Sequence, residues 1–224
     1  MRQHIDAAKV RRNARLSRIL SFGGLGVMGL GLLISFRPPY RVDLVLGLFL
    51  VGILASQIGL PMRNRWDRRP RIDEILDGAL KGLDQRFGIF HYSLGARHVL
   101  ICPGGVFAVI PRSENGVINY SDGRWTRTTS KGGLLRRAGT RNIRGIQREA
   151  ASEVDRAASH LNLPFPVRPF IVFLHGGAEM DRQQRGPELA THLKKLKSAV
   201  RKLPKAETLS PRQVEKLATD LRYS

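Results

Sequence analysis

Two uncharged apolar runs lie within the first 62 residues, Ile19–Phe36 and Leu44–Met62, and they constrain this chain more than any other feature. Each approaches the ~20 apolar residues that a helix needs to cross ~30 Å of hydrocarbon. Backbone N–H and C=O groups find no water there, so a segment of this kind crosses as a helix with its hydrogen bonds closed internally. Basic residues precede the first run, as in a signal peptide. That run is longer than a signal's apolar core of roughly 7–15 residues. It leads into Arg37-Pro38-Pro39, with no A-x-A-like cleavage site. A second run follows closely, so the expectation is a retained hairpin of two transmembrane helices over 19–62.

Orientation follows from the placement of cations. Arg2, Lys9, Arg11, Arg12, Arg15 and Arg18 precede the first run, and Arg63, Arg65, Arg68, Arg69 and Arg71 follow the second. The turn from Arg37 to Asp43 is short and carries less positive charge. The expectation is a multi-pass protein of the plasma or inner membrane with both termini cytoplasmic. Residues 1–18 form a basic cytoplasmic N-terminus, 63–71 a basic linker and 72–224 a cytoplasmic domain.

Gly24-Leu25-Gly26-Val27-Met28-Gly29 matches G-x-G-x-x-G. The dinucleotide fingerprint requires a strand, a turn and a helix in a βαβ unit, which an uncharged span excludes. These glycines are expected to allow close helix packing. Gly31 with Ser35, Gly52 with Ser56 and Ala55 with Gly59 share small-xxx-small spacing, which serves either the hairpin itself or a homodimer.

In the remaining domain, Ile72, Ile75, Leu76, Ala79, Leu80 and Leu83 recur at helical spacing. A strand-rich stretch follows: His98–Cys102, the Pro103-Gly104-Gly105 turn, Val106–Ile110, Asn115-Gly116, Val117–Tyr120 and Asp122-Gly123. It reads as an antiparallel meander, because Asn-Gly and Asp-Gly are hairpin signals. Gly123 to Gly145 reads as a loop. Ile146, Ala150, Val154, Ala157 and Leu161 predict a helix. Phe170–Leu174 predicts a strand buried on both faces. Leu189, Leu193, Leu196, Val200 and Leu203 predict another helix, and Ser210, Pro211 and Gln213 a cap for a last one along Val214, Leu217 and Leu221. The fold class is α/β, a sandwich with a mixed sheet behind the hairpin.

The run from Ala96 through Pro103-Gly104-Gly105 to Arg112, with Gly116 and Asp122-Gly123-Arg124-Trp125 after it, resembles the nuclease-related domain (NERD) family. Such a resemblance implies a restriction-endonuclease-like fold over roughly 72–224. In that fold an acidic residue on one strand, and an acidic residue plus lysine on the next, hold a divalent cation and activate water. The matching positions here carry Arg97, Ile110 and Arg112. Arginine cannot ligate Mg²⁺ and isoleucine has no side-chain oxygen, so neither catalysis nor a cofactor is expected. Glu114 lies four positions past Ile110, roughly 13 Å along a strand. The alternative is a divalent-metal-dependent nuclease whose site has migrated to Glu114.

Other chemistry is weaker. His98 and Cys102 share a strand face but stand too far apart for a dyad, and both read as packed. Leu174-His175-Gly176-Gly177 looks like an esterase oxyanion loop, yet no G-x-S-x-G elbow exists. His160, His175 and His192 lack metal-ligand spacing. Charge is more promising, since the chain carries a formal +20. Arg124, Arg127, Lys131, Arg136, Arg137, Arg141, Arg144 and Arg148 occur with no acid among them, and Lys194, Lys195, Lys197, Arg201 and Lys202 form a second cluster. Nucleic acid, anionic lipid at the cytoplasmic face and a protein surface are the candidate partners, and a solvated basic face is the plain alternative. The whole reads as a membrane-anchored binding or scaffolding protein. Single-cysteine labelling of intact cells should reach positions beside Tyr40 and leave positions in the 72–224 domain protected. External labelling of that domain would reverse the orientation.

Overall fold

A computed structural model of the chain describes residues 1–36, 38–39, 41–129, 139–161, 166–180 and 188–204. The helix expected at Val214–Leu221 lies outside these residues. Two compact units emerge, one over Asp6–Glu74 and the other joining Met1–Ile5 to the chain from Ile75 onward.

The chain opens with a strand, β1 (Arg2–Ile5), before helices α1 (Ala7–Ser35) and α2 (Val42–Trp66). Asp6 caps α1, its carboxylate accepting from the Lys9 N–H at 2.8 Å, so the basic N-terminal segment is helical well ahead of the apolar run. Both helices are long and apolar enough to cross a membrane. Their large side chains point outward, with Ile19, Phe22, Leu25, Leu46, Leu50 and Ile58 exposed. Within the apolar runs small residues face inward instead, with Val10 and Trp66 buried outside those runs. Val10, Ser17, Gly24 and Gly31 are buried on α1, and Gly52, Gly59 and Trp66 on α2, at seven-residue intervals. A Cβ on Gly24 would lie 2.6 Å from Ser56 Oγ and 2.7 Å from the Gly52 carbonyl oxygen. The small residues therefore pack the hairpin, the first of the two uses their spacing allows. Beyond the apolar runs Arg18 clasps Asp67 with Nε and Nη2 at 3.0 and 2.6 Å, and this guanidinium holds the Asp67 carboxyl below its usual range.

In the second unit helix α3 (Ile72–Leu80) enters from the linker; it is shorter than its apolar spacing predicts, ending before Gly82 at φ +81°. Strands β2 (Gly88–Leu94), β3 (Ala96–Cys102), β4 (Gly105–Arg112), β5 (Gly116–Ser121), β6 (Arg124–Thr129) and β7 (Gly139–Asn142) follow. Helix α4 (Ile146–Leu161), strands β8 (Arg168–Phe173), β9 (Ala178–Met180) and β10 (Leu189–His192), a 3₁₀ turn (Leu193–Lys195) and α5 (Leu196–Arg201) complete it. A six-stranded sheet runs β1-β2-β3-β4-β8-β10, and a four-stranded sheet runs β7-β6-β5-β9. The expected neighbours β3, β4 and β8 are adjacent, antiparallel at Val99↔Ala108 and parallel at Val109↔Phe170. The chain is thus mixed α/β with mixed sheets.

Three expectations are corrected. The single meander divides, because Gly116 (φ +104°) turns the chain out of β4 into a second sheet, where β5 lies parallel to β9. The Pro103-Gly104-Gly105 and Asp122-Gly123 hairpins form as predicted, the latter with positive φ at both positions, as a type I′ turn requires. The loop over 123–145 contains β6 and β7, whose Thr- and Arg-rich sequence shows no hydrophobic period; pairing with β5 supplies their order. The helix over Leu189–Leu203 begins only at Leu196, since Leu189–His192 is recruited as a parallel edge strand to β8. Periodicity missed β1 and β2 altogether.

Two layers cover the main sheet. Phe90, Val99, Ile101, Val106 and Ala108 face α4 at Val154, Ala157 and Leu161. Ile110, Ile171 and Phe173 continue that face beneath Trp125 and Ile118 of the second sheet. On the opposite face α3 buries Leu76 and Leu80, and its Asp77 reaches His91 of β2. Replacing Gly24 by leucine should loosen the hairpin by about 1–3 kcal/mol, the usual penalty for overpacking. Thermal unfolding of the detergent-solubilised chain followed by circular dichroism should show a lower midpoint, while Gly23→Leu, where nothing lies within 4 Å of the added Cβ, leaves it unchanged.

Candidate functional site

The positions that the family resemblance marks as catalytic lie under the first half of α4. The β3–β4 register, continued two residues past Val99↔Ala108, sets Arg97 opposite Ile110 on the face toward α4. Ile110 is buried in the core with Ile118, Trp125 and Ile171. Arg97 extends to α4, where Glu149, Glu153 and Arg156 share one face at i, i+4 and i+7. Its Nη1 donates to Glu149 Oε1 at 2.7 Å, its Nε lies 3.2 Å from Glu153 Oε1, and its backbone N–H donates to Glu153 Oε2 at 2.7 Å. Arg112, at the end of β4, donates to the other oxygen of Glu149 at 2.6 Å and to Glu114 at 2.5 Å. Arg156 reaches Glu153 at 3.3 Å.

Three carboxylates therefore converge here, each bound to guanidinium. Counting Arg97, Arg112 and Arg156 against Glu114, Glu149 and Glu153, the cluster is formally neutral. Burial pulls the Arg112 guanidinium down, but Glu114 and Glu149 more than offset it and leave its pKa above the ordinary value. Among the described residues no group of three or more His, Cys, Asp or Glu is placed to hold a metal ion. The replacements at 97 and 112 thus have structural partners, and the pairing signal was present in the E-x-x-x-E-x-x-R spacing of α4. Sequence reasoning did not use it, because nothing local linked that helix to β3.

On the opposite face of the sheet lies a second polar cluster that periodicity missed with β2. His91 and His98 are cross-strand partners, both buried, with Nδ1 atoms 2.7 Å apart. The other nitrogen of His91 stands 3.1 Å from Asp77 Oδ1. A carboxylate only accepts, so His91 donates from Nε2, and in its neutral form accepts at Nδ1 from His98. Tyr92, at φ +63°, sits in the bulge that follows His91, and its ring centroid lies 5.2 Å from that of His98. Cys102 is fully buried and burial pushes its thiol up to about 11, far from a nucleophile's range. His192 donates to the His175 carbonyl, and His175 Nδ1 accepts from the Gly177 N–H, so the glycine loop is a closed turn.

The basic residues separate into different situations. Lys131, Arg136 and Arg137 lie outside the described residues. Arg127 of β6 and Arg141 of β7 are direct cross-strand partners, and Arg127 lies on the same sheet face as Trp125. Arg124 falls on the other face, while Arg144 and Arg148 are exposed at the start of α4. Gln147 donates to the Gly123 carbonyl at 3.2 Å and draws that helix start to the β5–β6 turn. Among the described residues, none of Arg124, Arg127, Arg141, Arg144 and Arg148 pairs with a carboxylate. In the other cluster Lys197 donates to the Lys81 carbonyl at 2.6 Å and Arg201 to Gly82 at 3.3 Å. Those cations satisfy carbonyls just past the C-terminus of α3. Lys194, Lys195 and Lys202 are exposed. In comparisons with known protein families, characterised proteins and solved structures, no match to the chain emerges.

Glu153 is almost wholly buried and binds both the backbone and the guanidinium of Arg97. Replacing it by alanine leaves a buried donor unpaired and should destabilise the unit by about 1–3 kcal/mol. Urea unfolding followed by Trp125 fluorescence should show the lower midpoint, and Arg156→Ala, at a more exposed partner, a much smaller change.

Proposed function

We propose that the chain is a membrane-anchored, non-catalytic binding protein of the cytoplasmic face. Its α/β unit is a degenerate nuclease-related domain with a restriction-endonuclease-like fold, and it holds nucleic acid through the basic margin of its smaller sheet. The observation that carries this reading is a division of charge. Arg97 and Arg112 consume Glu114, Glu149 and Glu153, whereas Arg127 and Arg141 oppose each other across β6 and β7 with no acid between them. Like charges directly opposed are unfavourable in a sheet, and a bound phosphate removes the penalty.

The charge pattern supports a cytoplasmic orientation, and the strand pairing supports both ends lying on one side. Most of the Arg and Lys residues around the apolar runs lie at the open end of the hairpin, against Arg37 and Arg41 at its turn. β1 also pairs with β2 at Arg2↔Gly88 through Ile5↔His91, so the chain leaves and rejoins the same unit around the hairpin, as an even number of crossings demands.

The full chain in neutral-lipid nanodiscs should bind fluorescent single-stranded RNA or DNA, with affinity falling steeply as salt rises because phosphate contacts release counterions. Arg127→Ala with Arg141→Ala should weaken binding several-fold for every sequence and flatten the salt slope by about one to two units. Lys197→Ala should not alter it. With Mg²⁺ or Mn²⁺ the nucleic acid should stay intact. Cleavage abolished by EDTA and by Glu114→Gln would establish the migrated nuclease site instead, and absence of binding at low salt would leave these arginines as solvated surface.

A further inference from the structure

The hairpin carries a second set of cations, and the structure separates those already neutralised from those that are not. Arg18 and Arg63 share Asp67, with Arg18 at 2.6 Å and Arg63 at 3.9 Å, and Arg63 also lies over the Phe22 ring. Arg69 and Arg71 are within 3.7 and 3.3 Å of Glu74, and Arg71 holds Asp73 as well. Arg11, Arg12, Arg15 and Arg68 are exposed and have no carboxylate partner among the described residues. Arg11, Arg15 and Arg18 follow one stripe of α1 at i, i+4 and i+7. At 1.5 Å per residue, Arg15 stands about 4.5 Å and Arg11 about 10 Å beyond Arg18, which borders the apolar run. Arg68 follows Asp67 directly and donates its backbone N–H to the Arg63 carbonyl at 3.0 Å, so it is tied to the Arg18–Asp67 clasp.

We infer that Arg11, Arg12, Arg15 and Arg68 form a binding site for the phosphate headgroup of an anionic phospholipid, resting on the reading of α1 and α2 as transmembrane. Depth selects lipid as the occupant. The headgroup layer adds roughly 5–8 Å outside the hydrocarbon on each side, which is where Arg15 falls and which Arg11 and Arg12 reach back toward. On the other side of Arg18, toward the apolar run, the helices expose Ile19, Phe22 and Leu60, a surface that no soluble polyanion covers. Guanidinium suits the task, because its planar fork meets phosphate oxygens two at a time. The Arg18–Asp67 clasp joins the α1 stripe to the residue next to Arg68, so these cations are carried on a closed hairpin rather than on a loose polybasic tail. This site is separate from the arginines of the second sheet.

The test uses the full chain reconstituted in phosphatidylcholine vesicles containing spin-labelled phosphatidylglycerol or spin-labelled phosphatidylcholine, with electron paramagnetic resonance reporting the motionally restricted lipid. The expected result is a roughly fivefold preference for phosphatidylglycerol, following the contribution of juxtamembrane cations near an anionic surface, reduced by salt. Replacing Arg11, Arg12, Arg15 and Arg68 by glutamine should bring the preference close to unity. Replacing the same four by lysine should keep part of it, and replacing Arg127 and Arg141 should leave it intact. Orientation is checked by protease protection in each sample. Equal restriction of both lipids in the wild type, or a preference that survives the glutamine variant, overturns the headgroup site while restricted lipid still marks a spanning hairpin. Absence of any restricted lipid, together with release by alkaline carbonate, overturns the spanning reading and the site with it.

Discussion

Everything else in this chain is arranged around the closure of β1 onto β2. Four residues before the first apolar helix pair in parallel with a strand that lies beyond the second. The hairpin is therefore an insertion between the first and second strands of a sheet, not an anchor attached to one end of a finished domain. Insertion restricts what the hairpin may be: its ends must return to one place, and its helices must close their own hydrogen bonds. Glycine and serine at seven-residue intervals meet the first demand, letting two backbones approach until a Cβ at Gly24 or Gly59 has no room. Arg18 and Asp67 complete the return at the polar end.

The six-stranded sheet carries two polar clusters on its two faces, and both obey the rule that buried charge and buried imidazole need partners. Under α4, Arg97 and Arg112 are neutralised by carboxylates from a helix more than thirty positions later in the chain. Toward α3, a histidine pair is closed by Asp77. The margin of β6 and β7, where arginines without a carboxylate partner among the described residues stand, belongs to the other sheet and is ordered by pairing with β5.

Legibility in the sequence followed how local the determining physics is. The apolar runs, the amphipathic α4, the Asp122-Gly123 turn and the buried strand at Phe170 carry their own signals, and all appear where the residues place them. β1, β6, β7 and β10 carry none: Arg-Gln-His-Ile and Leu-Ala-Thr-His become strands because a sheet edge is offered to them, and tertiary pairing overrides a weak helical period at Leu189. The candidate site divides likewise. Arg97, Ile110 and Arg112 could be marked by position, but their partners Glu149 and Glu153 could not be assigned without knowing that α4 crosses β3. For Lys197 and Arg201 the sequence shows only positive charge, while the carbonyls they satisfy belong to another helix's end.

The pairing of β1 also sets an order of events. β1 precedes its partner strand β2 by two long apolar helices and α3, so this edge of the sheet cannot close until all of that chain has been made. Until then β2 presents a bare edge and the first residues are held only by the helix that succeeds them. A hairpin that fails to return its ends to one place leaves the six-stranded sheet without its outermost strand. The state of that single edge thus records whether the chain between β1 and β2 has folded back on itself.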